Sequence, residues 1–199
     1  MKPLAAALVL VLAIAACNDN NTPTEKDYAN APKFFPVANY IRDDIKSAGS
    51  EPIGVQYYFS SPQKKDSSYI GLDTMKQLAQ QAFLVPEIEK ENFERSFKET
   101  TFLDETTQMA TLTYQSMDST TIVKRVDVLL EPGTQADDVR TIYMEKMYND
   151  GDTAVIQRMS WKRTWFKIIT LKMLRDNPTT VETLMIGWDP SVDVKKMRD

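Results

Sequence analysis

From residue 36 onward, apolar positions fall first at helical spacing and then at strand spacing. Val37, Tyr40, Ile41, Ile45 and Ala48 recur three and four residues apart, with Arg42, Asp43 and Lys46 turned away. This predicts a helix that opens on Pro36 and stops before Gly49. Ile53, Val55, Tyr57 and Phe59 then alternate with Gly54, Gln56, Tyr58 and Ser60, the pattern of a half-buried strand. Residues 61–68 are polar and predict a loop. Leu72, Met75, Leu78, Ala79, Ala82 and Phe83 form the stripe of a second helix over 72–84, with Asp73 near its positive end and Pro86 stopping it. The charged stretch 87–91 adds a turn.

Beyond Phe93 the period becomes two. Phe93, Arg95, Phe97 and Glu99 open a strand that ends near Leu103, and Ala110, Leu112 and Tyr114 mark the next. Ile122, Val126, Val128 and Leu130 lie on one side of a third, ended by Pro132-Gly133. Residues 139–149 also fit a helix through Val139, Ile142, Tyr143, Lys146 and Met147. The hairpin signal Asp150-Gly151, which feeds a clear partner at 153–162, favours a strand. Ile168, Ile169 and Leu171 belong to another strand, Asn177-Pro178 makes a turn, and 181–188 is the last strand. Residues 189–199 read as a polar tail. The expected class is α+β: two N-terminal helices packed on a curved antiparallel sheet of about six to eight strands, mostly a meander and open to half-barrel curvature.

The N-terminus follows a different logic. After Met1-Lys2-Pro3, residues 4–16 are wholly apolar, and Cys17 is followed by the polar run 18–24. The apolar run is too short to span a bilayer and has the layout of a secretory signal. Ala13-Ile14-Ala15 fits ordinary signal cleavage. Ile14-Ala15-Ala16-Cys17 resembles the lipobox of bacterial lipoproteins, and Cys17 is the chain's one cysteine, which favours this second reading. The resemblance covers about the first seventeen residues. It implies a signal peptide over 1–16, lipidation of Cys17, a flexible tether over 17–33, a single domain over 34–188, and anchoring to the cell envelope, at the outer membrane, through acyl chains. Asp73-Thr74-Met75, Asp118-Ser119-Thr120 and Asp152-Thr153-Ala154 are similar to a short glycosylation signal of exported Bacteroidetes proteins.

Composition narrows the chemistry. The 199 residues include no histidine, which removes His-assisted nucleophiles, His general bases and His-ligated metal sites. No cofactor is expected. Without residues 1–16, which hold only Lys2 among the charges, Lys+Arg falls from 24 to 23 against 28 Asp+Glu, a net charge of −5. That acidity argues against nucleic acid as a partner. Glu87, Glu89, Glu91, Asp104 and Glu105 read as solvated surface, and Asn149-Asp150-Gly151-Asp152 is too short for a calcium loop.

The densest candidate is the interleaved basic and aromatic stretch that contains Arg158, Trp161, Lys162, Arg163 and Trp165. It could grip lipid headgroups or glycan, or be a hairpin with aromatics inside and cations outside. Met75, Met109, Met144, Met147, Met159, Met173 and Met185 could line an adaptable pocket or fill core gaps. The expected function is a non-enzymatic envelope lipoprotein whose domain binds a lipid, a glycan or an envelope protein. The alternatives are a subunit or assembly factor of an envelope complex, and a hydrolase that works with carboxylates alone.

Overall fold

The computed structural model describes residues 34–48, 54–132, 138–174, 178–194 and 196. The signal, Cys17 and tether readings lie outside them, as do Gly49, Ile53, Gly133 and Asn177.

Among the described residues, three α-helices and nine strands follow in order: α1 (Val37–Ser47), β1 (Val55–Ser60), β2 (Lys65–Ile70), α2 (Leu72–Phe83), a 3₁₀ turn (Pro86–Ile88), α3 (Lys90–Ser96), then β3 (Phe97–Asp104), β4 (Met109–Ser116), β5 (Val123–Leu130), β6 (Val139–Asp150), β7 (Thr153–Lys162), β8 (Trp165–Leu174) and β9 (Thr180–Gly187). All strands pair antiparallel in one sheet, ordered β2-β1-β9-β8-β7-β6-β5-β4-β3. The expected helix-plus-sheet class and the meander from β3 to β9 both hold. The sheet is open, with β2 and β3 at its edges.

Three expectations are corrected. The sheet has nine strands, not six to eight, because the polar segment read as a loop supplies β2, which pairs with β1 from Val55↔Ile70 to Ser60↔Lys65. As an edge strand it buries little, so it carries no hydrophobic alternation to read. Among the described residues the helices number three, because 90–96 is helical and the strand begins only at Phe97. Phe93 and Phe97, read as one strand face, are also one helical turn apart, and their rings meet at 4.7 Å between centroids. Finally, the stretch after β9 buries Val192 and Val194 against Tyr58 and Met185 on the sheet's outer face. Gly187 makes this possible, since a Cβ there would lie 2.8 Å from Val192 Cγ1.

Residues 139–149 are strand. Asp150 pairs with Thr153 across a two-residue loop, and Gly151 takes φ +58° at its first position, as a type II′ turn has it.

The register lines up rows of side chains on the face that the helices cover. One row runs Tyr57, Ile186, Phe166, Trp161, Ile142, Val128, Leu112. A second runs Phe59, Leu184, Ile168, Met159, Met144, Val126, Tyr114 by the same pairings. Val37, Ala38, Ile41 and Ile45 of α1 and Met75, Ala79 and Phe83 of α2 close over these rows to make one core. The third row turns polar: Glu182, Thr170, Gln157, Lys146. There the apolar cover ends.

Candidate functional site

The basic–aromatic stretch does not form one face. Strand alternation turns Trp161 inward, where it is 1% exposed, while Arg158 is exposed beside Glu145 at 3.5 Å. Lys162 stands over the Trp165 ring at 5.3 Å, and Trp165 packs on the cluster of Tyr58, Met185, Val192 and Val194. Arg163, on the β7–β8 turn, points its guanidinium at Asp44 of α1 across 3.7 Å. Of the methionines, Met75, Met144, Met159 and Met185 are buried, and Met147 is exposed on the outer face.

Asp44 sits on the buried side of α1, three residues from Ile41, and accepts a hydrogen bond from Trp161 Nε1 at 2.9 Å. The Tyr40 hydroxyl is buried in the same corner with no hydrogen-bond partner among the described residues. Burial and the Asp44 charge raise its pKa, and Arg163 lowers it without forming a well-aligned bond. This corner is a latch between helix and sheet. Burial pushes the Asp44 carboxyl up, and the Trp161 bond and Arg163 only partly offset that. A carboxyl raised in the folded state contributes stability at low pH that is lost as pH rises through its folded pKa. Asp44→Asn keeps an acceptor for Trp161 and removes that loss, so it should melt higher than wild type at pH 7, with the gap closing towards pH 3. Asp44→Ala orphans the indole N–H and should cost about 1–3 kcal/mol in a denaturant titration.

A second fixed point lies at the first described residues, Phe34 and Phe35. Phe34 donates its amide to Glu99 Oε2 at 3.0 Å, and Phe35 donates to the buried Tyr114 hydroxyl at 2.8 Å. Phe34 takes φ +79°, a cost of about 1–2 kcal/mol for a residue with a side chain. Its ring packs on Phe93 and Tyr114, centroids 5.8 and 5.5 Å away, which holds the strained backbone in place.

The cleft with the most distinctive chemistry is at the polar end of the inner face, between the last turn of α2 and strands β6 to β9. Its volume is about 400 Å³. Half-buried Leu78, Ala82, Val85 and Leu184 and buried Ile168 wall it; Lys146, Tyr148, Gln157 and Gln81 supply the polar groups. Lys146 is only 5% exposed, because its strand parity turns it into the core behind Met144. Its ammonium donates to the carbonyl of Ala82 at the C-terminal, negative end of α2. No carboxylate lies within ion-pair distance of it among the described residues. Burial lowers its pKa to about 8, opposed only by the more distant Glu87. Beside it, Gln157 donates to Thr170 Oγ1 at 3.3 Å, and Lys172 pairs with Glu182 at 2.8 Å.

Lys146 and Asp44 escaped sequence reasoning. Both signals were present: Lys146 shares parity with Ile142 and Met144, and Asp44 lies a turn from Ile41. The acidic residues weighed for catalysis are spread through the fold. Glu89 pairs with Arg42 at 2.6 Å, and Asp104 accepts the Thr106 amide at 2.9 Å in the β3–β4 turn. Among the described residues no three His, Cys, Asp or Glu side chains gather as a metal site, and no helix is long and apolar enough to cross a membrane. Comparison with protein-family models, curated proteins and solved structures found no match to this chain.

Proposed function

We propose that this chain is a non-enzymatic envelope lipoprotein, exported, acylated on Cys17 and held at the outer membrane. Its domain binds an apolar ligand in the cleft beside α2. The observation that carries the binding reading is the cleft itself, with half-buried apolar walls around a buried lysine that has no carboxylate at ion-pair distance. Apolar walls with a few convergent polar groups are the makeup of small-molecule sites. In this reading the sheet curls partway round the helices as a half-barrel, and the cleft is the gap at its uncovered end. The strained, hydrogen-bonded entry at Phe34 and Phe35 gives the tether a firm point of attachment.

Two experiments test it. Organic extraction of protein purified from cells, followed by mass spectrometry, should return a bound amphiphile in stoichiometric amount; empty protein from repeated preparations would contradict ligand carriage. Cells fed labelled palmitate should label the wild type, while Cys17→Ser should lose the label and move from the membrane to the soluble fraction. Two acyl chains make the difference between stable and marginal anchoring. An unlabelled wild type would contradict the anchor.

A second reading, a subunit of an envelope complex, is favoured by the outer face. There Met147, Ile156, Leu171 and Val181 make an apolar row across four neighbouring strands, with Met147 37% and Val181 46% exposed. A stoichiometric protein recovered with the chain from detergent-solubilised membranes, and lost on Val181→Lys, would support this reading over the first.

A further inference from the structure

We infer that the cleft beside α2 takes an amphiphile with a carboxylate head, with Lys146 as its counter-ion and Leu78, Ala82, Val85, Ile168 and Leu184 as the wall for its tail. The inference rests on the reading of this cleft as a ligand site and specifies what the site selects.

Charge gives the first argument. A buried ammonium needs compensation, normally by a carboxylate. Lys146 is 5% exposed and has only the Ala82 carbonyl, the partial negative charge of a helix end. Salt bridges occupy the other cations nearby: Lys172 is held by Glu182, and Arg158 by Glu145 on the far side of the sheet. Glu87 on the 3₁₀ turn favours the charged form from a distance, but its Oε1 lies 3.4 Å from the Ile122 amide. The remaining place for a negative charge is the cleft.

Donor geometry gives the second. An ammonium has three N–H donors, and one goes to Ala82. Two remain for a bound group to accept, and a carboxylate oxygen in the cleft can take either. The one positive charge of Lys146 is balanced by one negative charge, and no arginine lines the cleft to add a second.

Size and wall chemistry give the third. The cleft, of about 400 Å³, falls within the size range of small-molecule sites. Apolar walls stand on two sides, α2 and Val85 on one and β8 and β9 on the other, so a tail lies along them while its head stays at Lys146. The bland account of Lys146, a cation that caps the C-terminus of α2, explains the Ala82 bond. It does not explain the cleft.

The test uses the Cys17→Ser chain, which keeps the whole domain and brings no acyl group of its own. Laurate and 1-dodecanol, each below its aggregation limit at pH 7, are titrated by calorimetry into this protein and into versions that also carry Lys146→Met or Lys146→Arg, with circular dichroism confirming each fold. The expected result is laurate binding about tenfold or more tighter than dodecanol, the scale of one charge-assisted hydrogen bond. Lys146→Met should abolish the preference and keep dodecanol binding, and Lys146→Arg should restore it in large part. Equal binding of the two probes by the parent chain, or a preference that survives Lys146→Met, would overturn the carboxylate inference and leave the cleft a ligand site. Binding of neither would overturn both readings.

Discussion

Trp161→Ala should cost this domain about 4–6 kcal/mol and lower its melting temperature by roughly 10–20 °C. Two losses add. The first is volume: Trp161 is 1% exposed and packs against Phe83, Phe166 and Trp188, centroids 5.1, 5.8 and 5.4 Å away. Emptying that site leaves a cavity under both main helices. The second is chemical. The indole N–H is the one hydrogen bond described for the Asp44 carboxylate, at 2.9 Å, and its loss leaves a buried acid with only a half-reaching Arg163. Trp161→Phe separates the two by keeping an aromatic ring and removing the donor; it should cost about 1–3 kcal/mol. Since a domain of this size has a total stability of about 5–15 kcal/mol, the alanine variant should unfold well before the phenylalanine variant in urea. A loss below about 1 kcal/mol for Trp161→Ala would contradict the account of the core.

Lys146→Met should do the reverse and stabilise the protein by about 2 kcal/mol at pH 7. Burial lowers the lysine from its ordinary value of 10.5 to about 8, a shift of roughly 3 kcal/mol against the charged form. The lost bond to Ala82 returns about 1 kcal/mol of that. Methionine fills the space without a charge. The pH dependence follows from the direction of the shift. Between about pH 8 and pH 10.5 the unfolded lysine holds its proton and the folded one does not, so wild-type stability rises with pH through that window. The advantage of Lys146→Met should shrink over the same range. A residue that costs the fold stability while facing an apolar cleft is better explained by what it binds than by what it holds together. If Lys146→Met were instead destabilised by several kcal/mol, Lys146 would be a structural cap of α2 and no more.

Much of the architecture was legible because most elements bury one face. The stripes of α1 and α2, the alternation in β4, β5, β7 and β9, and the Gly151 hairpin are all written in apolar spacing and turn chemistry. What escaped had little burial to leave a trace, or left two. β2 exposes most of its six residues at the sheet edge, so its backbone pairs but its side chains record nothing. Phe93 and Phe97 satisfy a helical turn and a strand face equally, and the helix wins because Phe93 is needed against Phe34, Phe97 and Tyr114.

The site was less legible for the opposite reason. The basic–aromatic stretch from Arg158 to Trp165 drew attention by composition, yet alternation sends its members to opposite faces of the sheet. Lys146 stood in a segment that could be helix or strand, and it falls on the apolar face of either. Once 139–149 is a strand, Ile142, Met144 and Lys146 fall on one side, and a lysine in an apolar row becomes the most informative residue in the sequence. Asp44 is the same case on a helix. A polar residue on a buried stripe carries more information about a site than a dense run of charge.

The central claim, that a carboxylate-headed chain sits in the cleft against Lys146, is tested most directly by a crystal structure of the Cys17→Ser chain grown with laurate. The account predicts density for one chain along Leu78, Ala82, Val85, Ile168 and Leu184, with a carboxylate oxygen within about 3 Å of the Lys146 ammonium. An empty cleft at saturating laurate, or a chain bound with its head away from Lys146, would contradict it.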